Sequence, residues 1–344
     1  MPRTTIDDVA RRAGVSIKTV SRVLNGEPNV RQSTRDRVNA AITELNYRPN
    51  VSARNLAARR SRLVVLVYDD PSFYEAPSAG YVVRLQEGAL RACRAAGYEL
   101  LIHPCNYRDE GFNTELRSLI GQMQPNGIVL AAPVSNIPGI VITIADTNTP
   151  FVRLSPGDGG EAGLSISTDD RQISAEMTRY LASLGHRRIA FIAGNPGHTA
   201  VVNRLSGYED GLRETGLAFS PEFVAEGDNS IASGEAAAES LLSLPVRPTA
   251  IFAANDDMAA GVLRVAYRRG LAVPGSLSVA GFDDSALALQ VYPALTTVRQ
   301  PLVSMAERAV QALIRPSVDA DGNAGPLVIP SRLVIRDSTG PAPD

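Results

Sequence analysis

The sequence of 344 residues is poor in the residues that build disulfide frameworks and metal sites, with two cysteines, three histidines and no tryptophan. Cys93 and Cys105 have neither metal-ligand nor redox-pair spacing, which argues against a disulfide framework. His103, His186 and His198 are scattered along the chain, so no histidine-rich metal cluster is expected. The sequence has no run of about 18 apolar residues and no signal peptide at its start. We therefore expect a cytoplasmic protein that uses no metal and no cofactor.

Sequence motifs of common α/β enzymes are also missing. The chain contains no Gly-x-Ser-x-Gly elbow, no Walker loop and no dinucleotide-binding glycine fingerprint. Two pairs of neighbouring carboxylates, Asp256 with Asp257 and Asp283 with Asp284, could imitate a catalytic pair or a magnesium site. Adjacent side chains on an extended segment usually point apart, however, so we predict no catalytic residues. An enzyme of the α/β class remains the competing hypothesis.

Charges of opposite sign are concentrated in two parts of the chain. Residues 1–62 contain 13 lysine and arginine residues against 5 aspartate and glutamate residues, a net charge of +8. The remaining residues contain 21 against 31, a net charge of −10, so the whole chain carries −2. A basic segment joined to an acidic region indicates that the segment binds a polyanion while the rest has another task.

Three short amphipathic helices are predicted in the basic segment. The first has its apolar residues at i, i+3, i+4 and i+7 and ends at Gly14. The second is Ile17–Leu24, and the third runs to about Leu45. Two short helices joined by a tight turn that contains glycine are typical of a helix-turn-helix. The predicted capping residues are Thr5 with Asp8, Ser16, and Ser33 with Asp36.

Four motifs follow one another in this segment: Thr5-Ile6-Asp7-Asp8-Val9-Ala10, Ala13-Gly14-Val15-Ser16, Thr19-Val20-Ser21-Arg22-Val23-Leu24-Asn25 and Leu45-Asn46-Tyr47-Arg48-Pro49-Asn50. In this register the segment resembles the DNA-binding domain of the LacI/GalR family of transcriptional regulators. The resemblance implies that the second helix enters the major groove of double-stranded DNA. It places Ile17 and Lys18 at two variable base-reading positions and Arg22 at a guanine-contacting position.

The chemistry of these side chains agrees with base reading. Arginine can donate two hydrogen bonds to guanine, Lys18 can donate to guanine acceptors, and Ile17 can contact a thymine methyl group. Other hydroxyl and amide side chains suit phosphate contacts, which position a protein without reading sequence. For Ser16 and Thr5, helix capping is an equally good interpretation. The predicted phosphate contacts are Thr5, Ser16, Thr19, Ser21, Asn25 and Thr34.

Residues 50–57 resemble the hinge helix of the same family, which becomes ordered on operator DNA. Leu56 matches the leucine that the family inserts into the minor groove, where an apolar wedge bends the duplex. Without that register, Leu56 would be interpreted as a packing anchor. The DNA-contacting residues implied here are Asn50, Ala53, Arg54 and Leu56.

From Leu63 onward, short β-rich runs alternate with amphipathic helical stretches. This alternation predicts βαβ units and mainly parallel sheets. The runs outnumber the strands of one sheet of about five or six, so two sheets are expected. The predicted strands are 63–67, 99–102, 127–130, 150–153, 188–192, 250–253 and 277–281.

This large region carries five further motifs: Gly185-His186-Arg187-Arg188-Ile189, Arg204-Leu205-Ser206-Gly207-Tyr208, Ala254-Asn255-Asp256-Asp257-Met258, Gly281-Phe282-Asp283-Asp284 and Leu295-Thr296-Thr297-Val298. With them the region resembles the family's effector domain, which has the type I periplasmic binding-protein fold with a ligand cleft between two α/β subdomains. The implied domains are a helix-turn-helix at 1–47, a hinge at 48–61 and an effector and dimerisation domain at 62–340. Its subdomains are predicted at 62–162 with 297–325 and at 163–296 with 326–340.

The resemblance implies that Arg204, Asn255 and Asp283 bind the effector, with Asp169 at the edge of the cleft. Arg204 could bridge two hydroxyls or pair with a carboxylate, and Asp283 could accept from a sugar diol. A structural ion pair across the cleft is the alternative. The loop after the first strand departs from the commonest family pattern, and a residue that is aromatic in many sugar-binding relatives is Asn229 here. The further candidates are Asp70, Ser78, Tyr81 and Asn229.

These expectations combine into a homodimeric transcription factor that binds a pseudo-palindromic operator. A repressor of carbohydrate-utilisation genes, controlled by a sugar or oligosaccharide, is the leading hypothesis. Nothing in the residues decides between induction and corepression, or between repression and activation. A binding protein for transport is a further alternative, but it would need export and would have no use for the basic segment.

Overall fold

The structure is a computed structural model that describes residues 4–24, 27–47, 61–70, 80–157, 162–195, 198–315 and 326–343. Contacts divide the chain into two units, a small head at Met1–Ser61 and a larger body at Arg62–Asp344. In the described ranges, no helix has the length and apolar character needed to cross a membrane. Six predicted site residues lie outside the described residues, namely Asn25, Asn50, Ala53, Arg54, Leu56 and Ser78.

The head contains three helices, α1 (Ile6–Ala13), α2 (Ile17–Leu24) and α3 (Gln32–Glu44). Val9, Val20 and Val38 contribute one residue from each helix to a small apolar core and are completely buried. Because the helices are short, this shared core and the caps hold them rather than helix propensity alone.

Helix caps define where the head helices begin and end. Thr5 and Asp8 form a reciprocal capping box at the start of α1, and Gly14 ends the helix in the left-handed conformation at φ 64°. The expected cap of α3 is not formed. This helix begins at Gln32, whose side-chain amide donates to Asp36 at 2.8 Å. This hydrogen bond occupies the Asp36 carboxylate, which the predicted capping pair of Ser33 and Asp36 would have used.

The first lobe of the body is built on a six-stranded parallel sheet in the order β11-β5-β4-β3-β1-β2. Apolar residues cover both faces of the sheet, as burial of a parallel sheet requires. Its strands are β1 (Leu63–Asp69), β2 (Glu99–Cys105), β3 (Gly127–Leu130), β4 (Phe151–Leu154), β5 (Leu164–Thr168) and β11 (Leu327–Ile329).

Four helices pack on this sheet, two on each face: α4 (Gly80–Ala96), α5 (Phe112–Met123), α6 (Pro138–Ala145) and α12 (Leu302–Ile314). The contact between α4 and α12 is unusually close at Gly88, where an added Cβ would lie 2.2 Å from the carbonyl oxygen of Val303. Only glycine fits at this position, so residues far apart in sequence are held together by backbone contact.

The second lobe is built on a four-stranded parallel sheet in the order β7-β6-β8-β9. One large apolar cluster fills the space between this sheet and its helices. The strands are β6 (Ile189–Ile192), β7 (Val224–Ala225), β8 (Ala250–Ala253) and β9 (Ser278–Ala280). The helices are α7 (Asp170–Ser183), α8 (Thr199–Glu214), α9 (Ile231–Leu242), α10 (Asp256–Arg268) and α11 (Leu287–Gln290).

The chain passes between the lobes three times, after β5, after β10 (Thr297–Arg299) and before β12 (Arg332–Val334). Strands β10 and β12 pair with each other in an antiparallel ribbon. The structure places β5 and β11 in the first sheet, whereas the predicted boundaries assign both segments to the second subdomain. Neither segment is among the predicted strands, and tertiary packing decides which sheet such a short segment joins, which explains the difference.

Candidate functional site

The second helix of the head, α2, has one buried face and one exposed face. Val20 and Val23 are buried in the core, while Ile17, Lys18 and Arg22 are exposed. Ile17 is 47% exposed although it is apolar, so its side chain is not used for packing. One apolar, one ammonium and one guanidinium group therefore lie together on the face expected to read bases.

The hydroxyl groups of Thr5 and Ser16 are engaged within the head. Thr5 Oγ1 donates to Asp8 Oδ2 at 2.8 Å and accepts from the Asp8 amide at 3.4 Å. Ser16 Oγ accepts from the Thr19 amide at 3.2 Å and lies 2.9 Å from Thr19 Oγ1. The structure thus shows the capping roles of Thr5 and Ser16, and their phosphate contacts stay predictions, as do those of Thr19, Ser21 and Thr34.

Arg22 has an acidic neighbour just beyond α2. Its Nε lies 3.5 Å from Glu27 Oε2, and both side chains are about half exposed. An exposed pair of this length adds little to stability. The guanine contact of Arg22 stays a prediction, and it would require Arg22 to leave this weak internal partner.

In the body, candidate effector residues follow strands at their carboxyl ends. Asp70 comes directly after β1 and Asp169 directly after β5, while Asn255 and Asp283 follow β8 and β9. In open α/β sheets this edge is where ligands bind. The structure brings the two lobes together here, because a Cβ added to Gly80 would lie 3.3 Å from Ser285 Cβ.

Arg204 is the centre of this cleft. Its Nε donates to Asp170 Oδ1 at 2.9 Å, and its Nη1 donates to the carbonyl of Ala254 at 2.7 Å. The guanidinium lies over the Phe282 ring, 3.7 Å from the ring centroid, and Nη1 lies 3.8 Å from Asp283 Oδ1. Arg204 and Asp283, two predicted effector residues, are therefore close, and Arg204 also forms a buried ion pair with Asp170, which lies within the second lobe rather than across the cleft.

Two buried carboxyl groups in the cleft, those of Asp256 and Asp283, have raised pKa values. Asp283 Oδ1 accepts from Gln300 Nε2 at 2.5 Å, and Asp256 accepts from the Thr297 hydroxyl and the Ser285 amide at 2.6 and 2.7 Å. Burial raises the pKa of both carboxyls above the ordinary value. The charge of Asp283 raises the pKa of Asp256 further.

The first lobe contributes Tyr81, from the first turn of α4. Its hydroxyl is buried near the backbone of Ala132, without the geometry of a hydrogen bond to any described residue. Burial raises the Tyr81 pKa, and the charges of Asp170, Arg204 and Asp283 also act on it. The structure thus places Tyr81 beside the charged groups of the second lobe.

His198 lies at the start of α8, near two guanidinium groups. Burial lowers its pKa to about 4, and the positive charges of Arg204 and Arg108 act in the same direction. The imidazole is therefore neutral at pH 7. It adds an uncharged donor and acceptor to the cleft.

Four further predicted effector residues make hydrogen bonds within the protein. Asn255 caps α10 by accepting from the Met258 amide at 2.9 Å, and its Nδ2 donates to the carbonyl of Asn229 at 2.9 Å. Asp169 Oδ1 accepts from the Ser331 amide at 2.7 Å, next to a lobe crossing. The amide of Asp70 donates to the carbonyl of Cys105 at 2.8 Å. Effector contacts of Asp70, Asp169, Asn229 and Asn255 stay predictions.

Sequence reasoning missed several groups that shape the cleft. Asp170 could have been found by asking which carboxylate neutralises Arg204, since buried charges need partners. Gln300 and His198 lie outside any recognisable spacing, and only the fold brings them to the site. The additional residues are Asp170, His198, Asp256, Phe282 and Gln300.

A buried ion cluster lies next to Asp283. Asp284 accepts from Arg336 at 2.5 Å and also pairs with Arg299. Despite burial, these two guanidinium groups hold the pKa of Asp284 below its ordinary value. Arg299 belongs to β10 and Arg336 follows β12, so both lie on segments that cross between the lobes. Among the described residues, no group of histidine, cysteine and acidic side chains is arranged to hold a metal ion.

Comparison with known families assigns the two units separately. The family model described as "Bacterial regulatory proteins, lacI family" matches residues 5–50. The model described as "Periplasmic binding protein-like domain" matches residues 178–339. The first match falls on the head and the second on the body.

Full-length relatives combine both units. The HTH-type transcriptional regulator AscG of Escherichia coli (strain K12) is 33% identical over 335 residues, which cover 97% of this chain and 98% of the relative. The Lac repressor dimer bound to operator and the anti-inducer ONPF is similar with a TM-score of 0.83 at 30% identity, covering 98% of this chain and 100% of that chain. A complex of the transcriptional regulator CelR with cellobiose has a TM-score of 0.71 at 30% identity, with the same coverage.

Proposed function

The chain belongs to the LacI family of bacterial regulatory proteins and is a DNA-binding transcriptional regulator rather than an enzyme, and we propose that it represses genes of carbohydrate use under the control of a sugar. The observation that carries the proposal is the exposed face of Ile17, Lys18 and Arg22 above buried Val20 and Val23. That face has the donors and the apolar group needed to read base edges in a major groove.

The effector site is the cleft around Arg204 and Asp283. Arg204 Nη2 donates to none of the described residues, and Asp283 Oδ2 accepts from none. A pair of neighbouring sugar hydroxyls matches one free donor and one free acceptor. The relative crystallised with cellobiose supports a sugar as the ligand class.

The operator is read by two copies of the chain. A groove on the second lobe lies between α9, α10 and α11, where apolar residues line it together with the ion-paired Glu235, Arg264 and Arg268. Its rim carries Tyr267 and Tyr292, which are 87% and 96% exposed. Exposed aromatic residues around a groove are typical of an interaction surface. A second copy is the occupant we propose, which the similar Lac repressor dimer supports. A dimer fits a pseudo-palindromic operator, and its place of action is the cytoplasm, with the chromosome.

The dimer is tested by sedimentation of the full chain. A double variant, Tyr267→Glu with Tyr292→Glu, places charge in the groove and is expected to yield monomers. Phe219→Glu is the matched control, because Phe219 is an exposed aromatic residue outside the groove. If the wild type and both variants contain the same fraction of monomer in sedimentation, the groove is not the dimer interface.

Fluorescence anisotropy tests the function as a whole. Selected pseudo-palindromic duplexes are titrated with the full chain at one salt concentration, near about 0.15 M, because phosphate contacts make affinity strongly salt-dependent. Mono- and oligosaccharides are then added to the complex. We expect sequence-selective binding that one sugar weakens.

Two variants test DNA recognition and the response to the sugar separately. Lys18→Ala is expected to lose base preference but keep the response to the sugar. Arg204→Gln is expected to bind the operator and ignore the sugar. A sugar that tightens binding would indicate corepression, and equal affinity for operator and random DNA would refute the regulator.

A further inference from the structure

The cationic group that would attract an anionic ligand is already neutralised by the protein. The Arg204 side chain is only 9% exposed, and its carboxylate partner Asp170 is 6% exposed. Their bond, together with the bond to Ala254, occupies Nε and Nη1. Bidentate recognition of a phosphate or carboxylate needs two parallel donors on one edge of the guanidinium. The Nε edge of Arg204 no longer offers them.

Other guanidinium groups near the cleft are also matched by carboxylates, those of Arg299 and Arg336 by Asp284. Arg108, which acts on His198, lies 3.8 Å from Asp69 Oδ2 and stacks over Tyr107 at 4.4 Å. His198 itself is neutral, because burial lowers its pKa to about 4. Neither residue therefore adds an uncompensated positive charge.

Carboxylates remain in excess. Asp283 is 3.8 Å from a guanidinium that Asp170 already neutralises, and Asp256, completely buried, is bonded to a hydroxyl and an amide. Burial is the largest cause of the raised pKa values of Asp256 and Asp283, and neighbouring carboxylates raise them further, so both carboxyls hold a proton over part of the neutral pH range. An anion entering the cleft would lose its hydration and find no uncompensated cation, while the ionised fraction of Asp283 would repel it.

We propose that the cleft selects an uncharged, hydroxyl-rich ligand and rejects the phosphorylated or carboxylate-bearing form of the same sugar. Hydroxyls can donate to Asp283 Oδ2 and accept from Arg204 Nη2, and the buried Tyr81 hydroxyl can pair with a further hydroxyl. The inference rests on the proposed sugar-responsive function and narrows its ligand class. The discrimination arises from repulsion as well as attraction, as specific sites commonly require.

The first test uses matched ligands on the full chain. Titration calorimetry compares each neutral sugar of a panel with its 6-phosphate and its uronic acid. For a sugar that binds, both anionic forms are expected to bind about 100-fold more weakly or not at all. An anionic form that binds as tightly as its neutral counterpart would overturn the proposal.

The second test needs no identified effector and uses inorganic phosphate. Asp170→Asn leaves Arg204 charged and uncompensated, so this variant is expected to gain at least about tenfold in phosphate affinity over wild type. Adding Arg204→Gln should remove the gain. Phosphate bound by the basic head is the same in all three proteins and cancels in the comparison.

Protection against thermal unfolding provides the readout, since each protein is compared with itself without phosphate. Asp283→Asn is a second variant in case Asp170→Asn does not fold, because its ion pair with Arg204 is longer. If neither variant, once shown to be folded, binds phosphate more tightly than wild type, the proposal is overturned. If the phosphate gain appears but no sugar binds, the charge selection stands and the proposed sugar response fails.

Discussion

Asp284 accepts a hydrogen bond from Arg336 across 52 residues of sequence, at 2.5 Å and with both side chains largely buried. The same carboxylate pairs with Arg299, so one acidic side chain joins two of the segments that cross between the lobes. Its neighbour Asp283 lies in the cleft, 3.8 Å from Arg204. Both aspartates have positive φ angles, 116° and 52°, which the ion cluster helps to hold.

Replacement of Asp284 by asparagine leaves two guanidinium groups without their shared carboxylate. Removing one partner of a buried pair is strongly destabilising, and we expect a loss of about 3 kcal/mol in the free energy of unfolding. Urea denaturation of the body measures it. Asp210→Asn is the matched control, because Asp210 also pairs with two arginines but these are well exposed, and its loss should be much smaller. Equal losses of unfolding free energy in Asp284→Asn and Asp210→Asn would contradict the role of burial.

Lys18 is the only lysine in the sequence, and it lies on the exposed face of α2. Lys18→Ala should relax base preference at one or two positions of each half-site by about 1–3 kcal/mol. Thr34→Ala, at a predicted phosphate contact, should instead weaken binding to all sequences alike. Anisotropy with single base substitutions distinguishes the two patterns.

The same residue allows a direct test of its contact with DNA. Reductive methylation modifies lysine, so the peptide containing Lys18 reports on a single side chain. Operator DNA should protect this peptide against methylation, whereas random DNA at equal occupancy should protect it less. Full reactivity in the operator complex would show that Lys18 does not face the bases.

Glu27 places a negative charge beside Arg22, with 3.5 Å between Oε2 and Nε. Glu27→Gln should raise affinity for operator and random DNA by a similar factor, because it removes repulsion from phosphates and frees Arg22. The slope of log K against log salt should become steeper by up to about 1. Loss of operator preference in this variant would indicate that Glu27 orients Arg22 for guanine instead.

His198 makes the stability of the body depend on pH. Its pKa in the folded protein is about 4, below the ordinary 6.5, so the unfolded state binds more protons between these values. Unfolding free energy should therefore fall as pH decreases from 6.5 to 4, by about 2 kcal/mol from this residue. Asp256 and Asp283 act in the opposite sense, because their raised pKa values favour the folded state as pH decreases.

The variant His198→Asn isolates the histidine contribution, since the carboxyl groups are common to both proteins. Chemical denaturation at several pH values should show a smaller decrease toward pH 4 in the variant than in wild type. Parallel stability curves would contradict the buried, neutral imidazole.

The sequence predicts the framework of this protein better than its cleft. All seven predicted strands are present, because each is a compact apolar run between turns. Among the described residues, five further strands are not predicted. Strands β7, β10, β11 and β12 are only two or three residues long and too short for such a pattern, and β5 has serine or threonine at three of its five positions, so it is not an apolar run. The structure shows that Ile17, Lys18 and Arg22 share the exposed face of one short helix, and their base-reading roles, which the family resemblance implies, stay predictions.

The cleft depends on contacts that no local pattern encodes. The motif around Arg204 identifies that residue, but its partners Asp170 and Phe282 come from other parts of the second lobe. Asn255 matches a ligand-binding position, yet in the structure its side chain caps a helix and holds Asn229. Such roles follow from tertiary distances, which a single sequence does not contain.

The close contact of α4 with α12 has a consequence for how the protein is made. The first lobe needs α12 and β11 to complete its core and its sheet, and both are encoded after the four-stranded sheet of the second lobe. The second lobe also needs residues encoded after α12, because the Val279 amide donates to the carbonyl of Ser338 and the Ala342 amide donates to the carbonyl of Leu184. Both lobes are therefore completed only after α12 has been synthesised, so neither can finish folding early on the ribosome, in contrast to domains that fold one after another during translation.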